Sequence, residues 1–319
     1  MVLQNPLTVC TNADLPNEGV FPYLSIFLTL FVLVTFALSF RHALRTSRSN
    51  LLYLISASIF GYVLEITMIS YTHSYCYNPH WIGLIGPVPL AIALSWGILI
   101  YNTHLIVERT NLSLFTGTLF QAFFTVILDF ILDPVAIRFS LWTWGLDIKN
   151  NLPLFTKDYF GIPWGNYWGW HWAIFSFNVV FQLVSRFILD RTKFTQSVKD
   201  VIISLLSIAL GMGVAFVIVM IFANYEKLVP GSLGQSLVIV ALFLFDIALV
   251  AKEKLRFTQK IDNFARAVMW SFFVLFSAMW VPLATEISVL VVVITFCALI
   301  FYYILIFLPS KLDSSMATD

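Results

Sequence analysis

Two aspartates four residues apart, Asp129 and Asp133, lie near the end of a long apolar stretch of this chain. Positions four apart share one helix face, and Gln121 and Thr125 continue that face. A carboxylate at the centre of a membrane helix costs roughly 2.5–3.5 kcal/mol, so it is rare there and usually functional. Burial and a neighbouring carboxylate both favour the protonated form, which predicts an acid that can donate a proton. Pro134 follows Asp133 and predicts that the helix ends there.

A third carboxyl group, Glu65, lies in another apolar stretch and is expected at a similar depth. Aromatic residues crowd the segment after the aspartates, and ring faces stabilise a nearby cation by about 0.5–2 kcal/mol each. An acid beside such rings suits proton-initiated chemistry on an apolar alkene, although an interfacial aromatic belt explains some of them. The candidate catalytic residues are Asp129, Asp133 and Glu65. The candidate substrate-binding residues are Tyr62, Tyr71, His73, Trp96, Trp142, Trp144, Tyr159, Asn166, Trp170 and His171.

The composition is that of a membrane protein. Of the 319 residues, 60% are hydrophobic and 11% charged, and the mean hydropathy is +0.88. A net charge of +1 without a basic tract gives no reason to expect nucleic-acid binding. The three cysteines are far apart and predict neither a disulfide framework nor a zinc site. No basic segment precedes the first apolar run, so we expect no cleaved signal peptide.

Long apolar runs predict an all-α, polytopic integral membrane bundle of about nine helices, because about 20 residues cross roughly 30 Å of hydrocarbon. We expect a single membrane domain over residues 1–319, with an aromatic-rich cap or re-entrant loop in residues 134–166, between spans four and five. The predicted spans are about 21–40, 50–70, 83–106, 112–133, 167–189, 200–223, 233–251, 266–284 and 286–308.

The basic residues predict the orientation of the bundle. Of the 18 lysines and arginines, 14 follow odd-numbered spans or lie in the carboxy-terminal tail. Because basic residues concentrate on the cytoplasmic side, we expect the amino terminus outside and the carboxy terminus in the cytoplasm. The Asp133 end of span four then faces away from the cytoplasm.

Several chemistries lack their sequence signals. Without HxxxH or HxxHH patterns, a histidine-rich di-iron enzyme is not expected, and without a DDxxD cluster neither is a prenyltransferase. No GxGxxG or Walker motif points to a nucleotide cofactor. We therefore expect no metal and no cofactor.

These residues and their spacing resemble the carotenoid biosynthesis membrane-protein family, which includes carotenoid 1,2-hydratases that act on gamma-carotene and on bisanhydrobacterioruberin. The resemblance covers about residues 55–190, and the later spans, over about 200–308, match only in hydropathy. Two departures, the glycine-free segment 66–77 and a longer segment between Trp144 and Tyr159, bear on the substrate more than on the reaction. The motifs that carry the resemblance are Glu65, Gly86-Pro-Val-Pro-Leu90, Trp96, Leu128-Asp129, Leu132-Asp-Pro-Val-Ala136, Trp142-x-Trp144, Tyr159-Phe-Gly-Ile-Pro163, Asn166 and Gly169-Trp170.

The resemblance implies hydration of a terminal alkene on a long isoprenoid or carotenoid, within the lipid bilayer and in association with other enzymes of the pathway. In this hypothesis Asp129 or Asp133 protonates the alkene, and Glu65, with Asn166 or His171, positions and deprotonates the water. A membrane terpene cyclase or isomerase that uses the same cation is the first alternative. A proton- or ion-coupled transporter is the second, in which Asp246 and other buried acids form a relay.

Overall fold

The computed structural model describes residues 21–72, 75–144, 159–228 and 232–280, together with Leu283 and Cys297. These residues form eight helices and four short strands, and seven of the helices are long and apolar enough to cross a membrane. The protein is an all-α, multi-pass integral membrane protein, as predicted. The helices are α1 (Phe21–Thr46), α2 (Arg48–Thr72), α3 (Leu90–Val107), α4 (Leu114–Arg138), α5 (Trp164–Arg191), α6 (Gln196–Leu228), α7 (Ser232–Lys252) and α8 (Asn263–Met279). The strands are β1 (Tyr75–Tyr77), β2 (Leu84–Ile85), β3 (Val88–Pro89) and β4 (Trp142–Trp144).

The first eight predicted spans correspond to α1–α8, and the ninth, 286–308, lies outside the described residues. The third span was predicted to begin at 83, which is wrong, because α3 begins at Leu90. Residues 84–89 form the β2–β3 hairpin, and Gly83 and Gly86 adopt φ values of 76° and 60°, which glycine reaches without steric cost. Pro89 then occupies the position before the first turn of α3.

Helix α4, which carries both aspartates, is the most deeply buried span and packs against α3, α5, α7 and α8. The predicted helix end at Asp133 is wrong, since α4 continues through Pro134 to Arg138. The Arg138 guanidinium donates to the Pro134 carbonyl at 2.7 Å, and the Trp280 indole donates to the Ile131 carbonyl at 3.0 Å. Pro134 cannot donate to the Phe130 carbonyl, which weakens the preceding turn, and the Trp280 bond binds the Ile131 carbonyl within that turn. Such side-chain bonds make a proline tolerable inside a membrane helix.

A small cap of β-structure covers one end of the bundle. Strands β1 and β4 pair antiparallel, with Tyr75 opposite Trp144 and Tyr77 opposite Trp142. Cys76, between the two tyrosines, is disulfide-bonded, while Cys297 is free. The cysteine spacing gave no sign of this bond, because a disulfide depends on closeness in space rather than in sequence.

Helices α2 and α3 pack at short range through two glycines. A Cβ atom on Gly61 would overlap the side chain of Trp96, and one on Gly97 would overlap the hydroxyl of Ser58. Small residues allow membrane helices to approach closely, since van der Waals packing rather than a hydrophobic force holds them together. Gly61 thereby lets Trp96 lie against α2, one turn from Glu65.

Candidate active site

A cavity of about 340 Å³ lies inside the bundle, walled by α1–α6, α8 and the β1–β4 pair. Its lining is mostly apolar and aromatic, as in pockets for hydrophobic ligands. Glu65 from α2, Asp133 from α4 and Asn166 from α5 all face it. Polar groups from three separate helices therefore converge on one hydrocarbon-lined space.

The aspartates form one hydrogen-bonded unit with Asn166. The Asn166 Nδ2 group donates to Oδ2 of Asp129 at 2.9 Å and to Oδ2 of Asp133 at 2.5 Å. Sharing this one donor places the two buried carboxyl groups side by side. Two carboxylates so close together repel each other, which favours a proton on one of them. The arrangement therefore suits a pair that holds one proton.

The two aspartates differ in their access to the cavity. Asp133 lines it, whereas Asp129 lies one helical turn away, is 1% exposed and is absent from the lining. The Oδ1 atom of Asp129 is buried without a hydrogen-bond partner in the described structure. Asp133 can touch a ligand directly, and Asp129 can act only through it.

Asn166 is positioned by a tight turn formed by the Tyr-Phe-Gly-Ile-Pro motif. Tyr159 and Ile162 exchange two backbone hydrogen bonds, of 3.0 and 2.9 Å. Between them, Phe160 and Gly161 adopt φ values of 52° and 87°, the left-handed region in which glycine is favoured. Pro163 immediately precedes α5, whose first turn carries Asn166 toward the aspartates.

Glu65 is held by three donors. The hydroxyls of Tyr75 and Tyr77 donate to its Oε2 at 2.6 and 2.8 Å, and the Trp96 indole donates to Oε1 at 2.8 Å. Burial and the adjacent charge of Glu65 raise the pKa of both tyrosines well above the usual value, so they stay protonated donors. Three donors on one carboxyl group match an ionised carboxylate, and Oε1 can still accept another proton donor.

Aromatic faces surround the carboxyl groups. Trp96 stacks on Trp170, with ring centroids 4.2 Å apart, and both rings line the cavity. Tyr75 packs against Trp144 with centroids 4.5 Å apart, and Tyr77 meets Trp142 edge to face at 5.7 Å. Such faces attract a cation that forms between them.

Of the predicted substrate-binding residues, Trp96, Trp142, Trp144, Asn166 and Trp170 line the cavity. Tyr62, Tyr71, Tyr159 and His171 are not in its lining, and His73 lies outside the described residues.

The residues that miss the cavity have other contacts. Tyr62 donates to the Ile85 carbonyl at 3.2 Å, Tyr71 is 54% exposed, and Tyr159 packs among other aromatic rings. His171 is fully buried and bonds Asp246 of α7 at 2.7 Å. The predicted polar stripe of α4 is also divided, because Gln121 donates to the Ile100 carbonyl of α3 instead.

The polar lining residues Thr72, Tyr75, Tyr77 and Ser95 were absent from the predicted set. Tyr75 and Tyr77 alternate in a short strand, so both reach the same side, and a Tyr-x-Tyr pattern after Glu65 is the signal that could have found them. Ser95 lines the cavity beside Trp96, and its side chain makes no hydrogen bond within the described residues. One serine in an apolar helix carries no signal in a single sequence.

Comparison with known proteins assigns the chain to a family. No curated protein and no solved structure matches it significantly. A family model described as "Carotenoid biosynthesis protein" matches residues 21–241, from the start of α1 into α7, and so includes all three carboxyl groups of the site. This match covers more than half of the chain and extends beyond the 55–190 of the sequence resemblance. The protein therefore belongs to the carotenoid biosynthesis protein family and has a role in that pathway.

Proposed function

We propose that this protein adds water to a terminal carbon–carbon double bond of a carotenoid or related long isoprenoid. The observation that carries the proposal is the pairing of two unlike carboxyl sites on one apolar cavity. One is the buried Asp129–Asp133 pair, whose carboxyl groups accept from the same Asn166 amide, and the other is Glu65, which accepts three hydrogen bonds. An acid and a base in separate environments are what water addition requires.

Asp133 is the proposed proton donor, because it is the member of the pair that lines the cavity. Its proton passes to the terminal alkene, the π electrons form the new C–H bond, and a tertiary cation remains. Asp129 and Asn166 keep Asp133 in position and stabilise the carboxylate left behind. The stacked rings of Trp96 and Trp170 stabilise the cation.

Glu65 is the proposed base. Water attacks the cation, the C–O bond forms, and the leaving proton goes to Oε1 of Glu65, which holds only the Trp96 hydrogen bond. The Ser95 hydroxyl, unbonded and on the cavity wall, can hold that water. Return of the proton from Glu65 to the aspartate pair restores the enzyme, so the net change is one water added and no redox step.

We also propose that the β1–β4 cap lies on the non-cytoplasmic side. The distribution of lysine and arginine supports this orientation, and so does the disulfide at Cys76, since disulfides persist in oxidising compartments. In a background without Cys297, an impermeant thiol reagent applied to sealed cells should label Ile82→Cys without permeabilisation, but Lys254→Cys only after it. The reverse pattern contradicts the orientation.

The reaction is tested by expressing the chain in membranes that contain lycopene, gamma-carotene or related carotenoids with acyclic ends. Mass spectrometry should find a product heavier by one water that is absent with Asp133→Asn and with Glu65→Gln. A product of unchanged mass would contradict hydration and indicate a cyclase or isomerase that uses the same cation. Unchanged pigments with every such substrate would reject alkene protonation altogether.

A further inference from the structure

An apolar groove of about 510 Å³ lies between α1 and α8, next to the cavity. On α1 it is lined by Phe27, Leu30, Phe31, Val34, Thr35 and Leu38. Phe27, Leu30, Val34 and Leu38 are 47–59% exposed, so within a membrane the groove opens toward lipid. The 1.5 Å rise per helical residue makes it about 16 Å long, roughly half the hydrocarbon core.

The groove and the cavity adjoin each other at one side chain of α1. Phe31 lines both, and its ring meets Phe272, a cavity residue of α8, edge to face at 5.0 Å. The cavity touches α8 at Phe272 and Phe276, and the groove touches it at Phe264, Ala267, Val268 and Ser271. The groove therefore runs from the cavity along both helices, away from the β1–β4 cap.

Among the described residues that line it, the groove offers no free polar group to a ligand. Its two hydroxyls bond to backbone carbonyls of their own helices, Thr35 to Phe31 and Ser271 to Val268, both at 2.7 Å. Every other lining side chain is apolar. A polar ligand would lose its hydrogen bonds there, whereas a hydrocarbon chain loses nothing.

We propose that this α1–α8 groove binds the polyene chain of the substrate while the chain's end group occupies the cavity. The inference rests on the proposed function for the end group, and for the chain on the position of the groove directly beside the cavity at Phe31. The groove makes the enzyme selective for long isoprenoids and gives the substrate a lateral route from the bilayer. Because lipid is as apolar as the groove, selectivity comes from fit rather than from transfer out of water.

Ala267→Phe and Val34→Phe test the groove, since each places a ring in it at an exposed position. Ala241→Phe is the matched control, on the exposed face of α7 and outside the groove and the cavity. The substrates are a carotenoid with an acyclic end and a short isoprenoid with the same end group. A carotenoid without a reactive end reports binding alone, through the pigment that the purified protein retains.

Both groove variants should lower kcat/KM for the long substrate about tenfold, the scale of one misfitted group in an apolar pocket. They should also lower carotenoid retention, while the short substrate and Ala241→Phe stay at wild-type values. Equal losses for long and short substrates would overturn the proposal. So would a lowered Tm with unchanged retention, which would mean that the chain's own later residues fill the groove.

The two proposals fail separately. If the wild-type protein hydrates neither substrate, yet the groove variants retain less carotenoid, the hydration proposal is refuted and binding of the polyene in the groove is supported. If hydration occurs and the groove variants change neither retention nor chain-length selectivity, the groove proposal is refuted and hydration is supported.

Discussion

The hydroxyl of Tyr77 offers a sharp test of Glu65 as the base. Tyr77→Phe deletes one oxygen and with it the 2.8 Å hydrogen bond to Oε2, while Tyr75 and Trp96 still bond to the carboxylate. A hydrogen bond to a charged group contributes about 1.5–3 kcal/mol. If Glu65 works as a fixed carboxylate, we expect a loss in kcat of roughly tenfold to a hundredfold.

The assay is the rate of product formation in reconstituted membranes, with Tm measured alongside. Tyr62→Phe is the matched control, because it removes a phenol hydroxyl from α2 whose hydrogen bond within the described residues is to the Ile85 carbonyl, outside the cavity. In the double variant Tyr75→Phe/Tyr77→Phe, the increase in activation free energy should differ from the sum of the two single increases. The two effects are not independent, because both hydroxyls bond to the same oxygen. Full activity in both single variants, or an equal loss in Tyr62→Phe, would refute the reasoning.

Three further perturbations probe other parts of the account. Ser95→Ala should lower the ratio of hydrated to isomerised product severalfold without stopping substrate consumption, because it removes the hydroxyl that holds the water and leaves the acid in place. An unchanged product ratio on chromatography counts against that role. Gly61→Ala should displace Trp96 and so weaken its hydrogen bond to Glu65, which should lower kcat about tenfold, the effect of losing one charge-assisted hydrogen bond. A wild-type kcat at an unchanged Tm would show that α2 and α3 adjust freely. Glu253, outside the membrane spans, accepts from Thr116 and Ser113 at the start of α4, and these bonds lower its pKa. Its stabilisation is therefore present above the unfolded pKa of 4.5 and is lost as pH falls through the folded pKa. Glu253→Gln should lower the free energy of unfolding at neutral pH by about 0.5 kcal/mol after solvent screening, and by much less at pH near 3. Thermal unfolding at the two pH values measures this, and a difference from wild type that widens in acid contradicts the sign.

The membrane fold was largely predictable from the sequence, because apolar length alone determines which segments can satisfy their backbone within lipid. The errors lie where local rules compete. Pro134 does not end α4, and Trp280 binds a carbonyl in the turn before it. Residues 84–89 form a hairpin because Gly83 and Gly86 accept positive φ. Neither outcome follows from hydropathy.

The candidate site was predictable in part. Asp129 and Asp133 were identified by helical spacing, and Asn166 by its motif, but the contact among the three depends on how α4 and α5 pack. His171 was predicted to bind substrate because it is a polar residue in a membrane helix, but its side chain pairs with Asp246 between α5 and α7. A single sequence identifies the polar residues whose burial in lipid is unfavourable, but it does not show which of them form hydrogen bonds with one another.

The most direct test of the central claim is the reaction of the purified protein in water labelled with heavy oxygen. We predict a product that carries one heavy oxygen atom on its former alkene end, formed by wild-type protein and absent with Asp133→Asn and with Glu65→Gln. A product without the label, or label incorporated equally by Asp133→Asn, would contradict acid-catalysed hydration at this site.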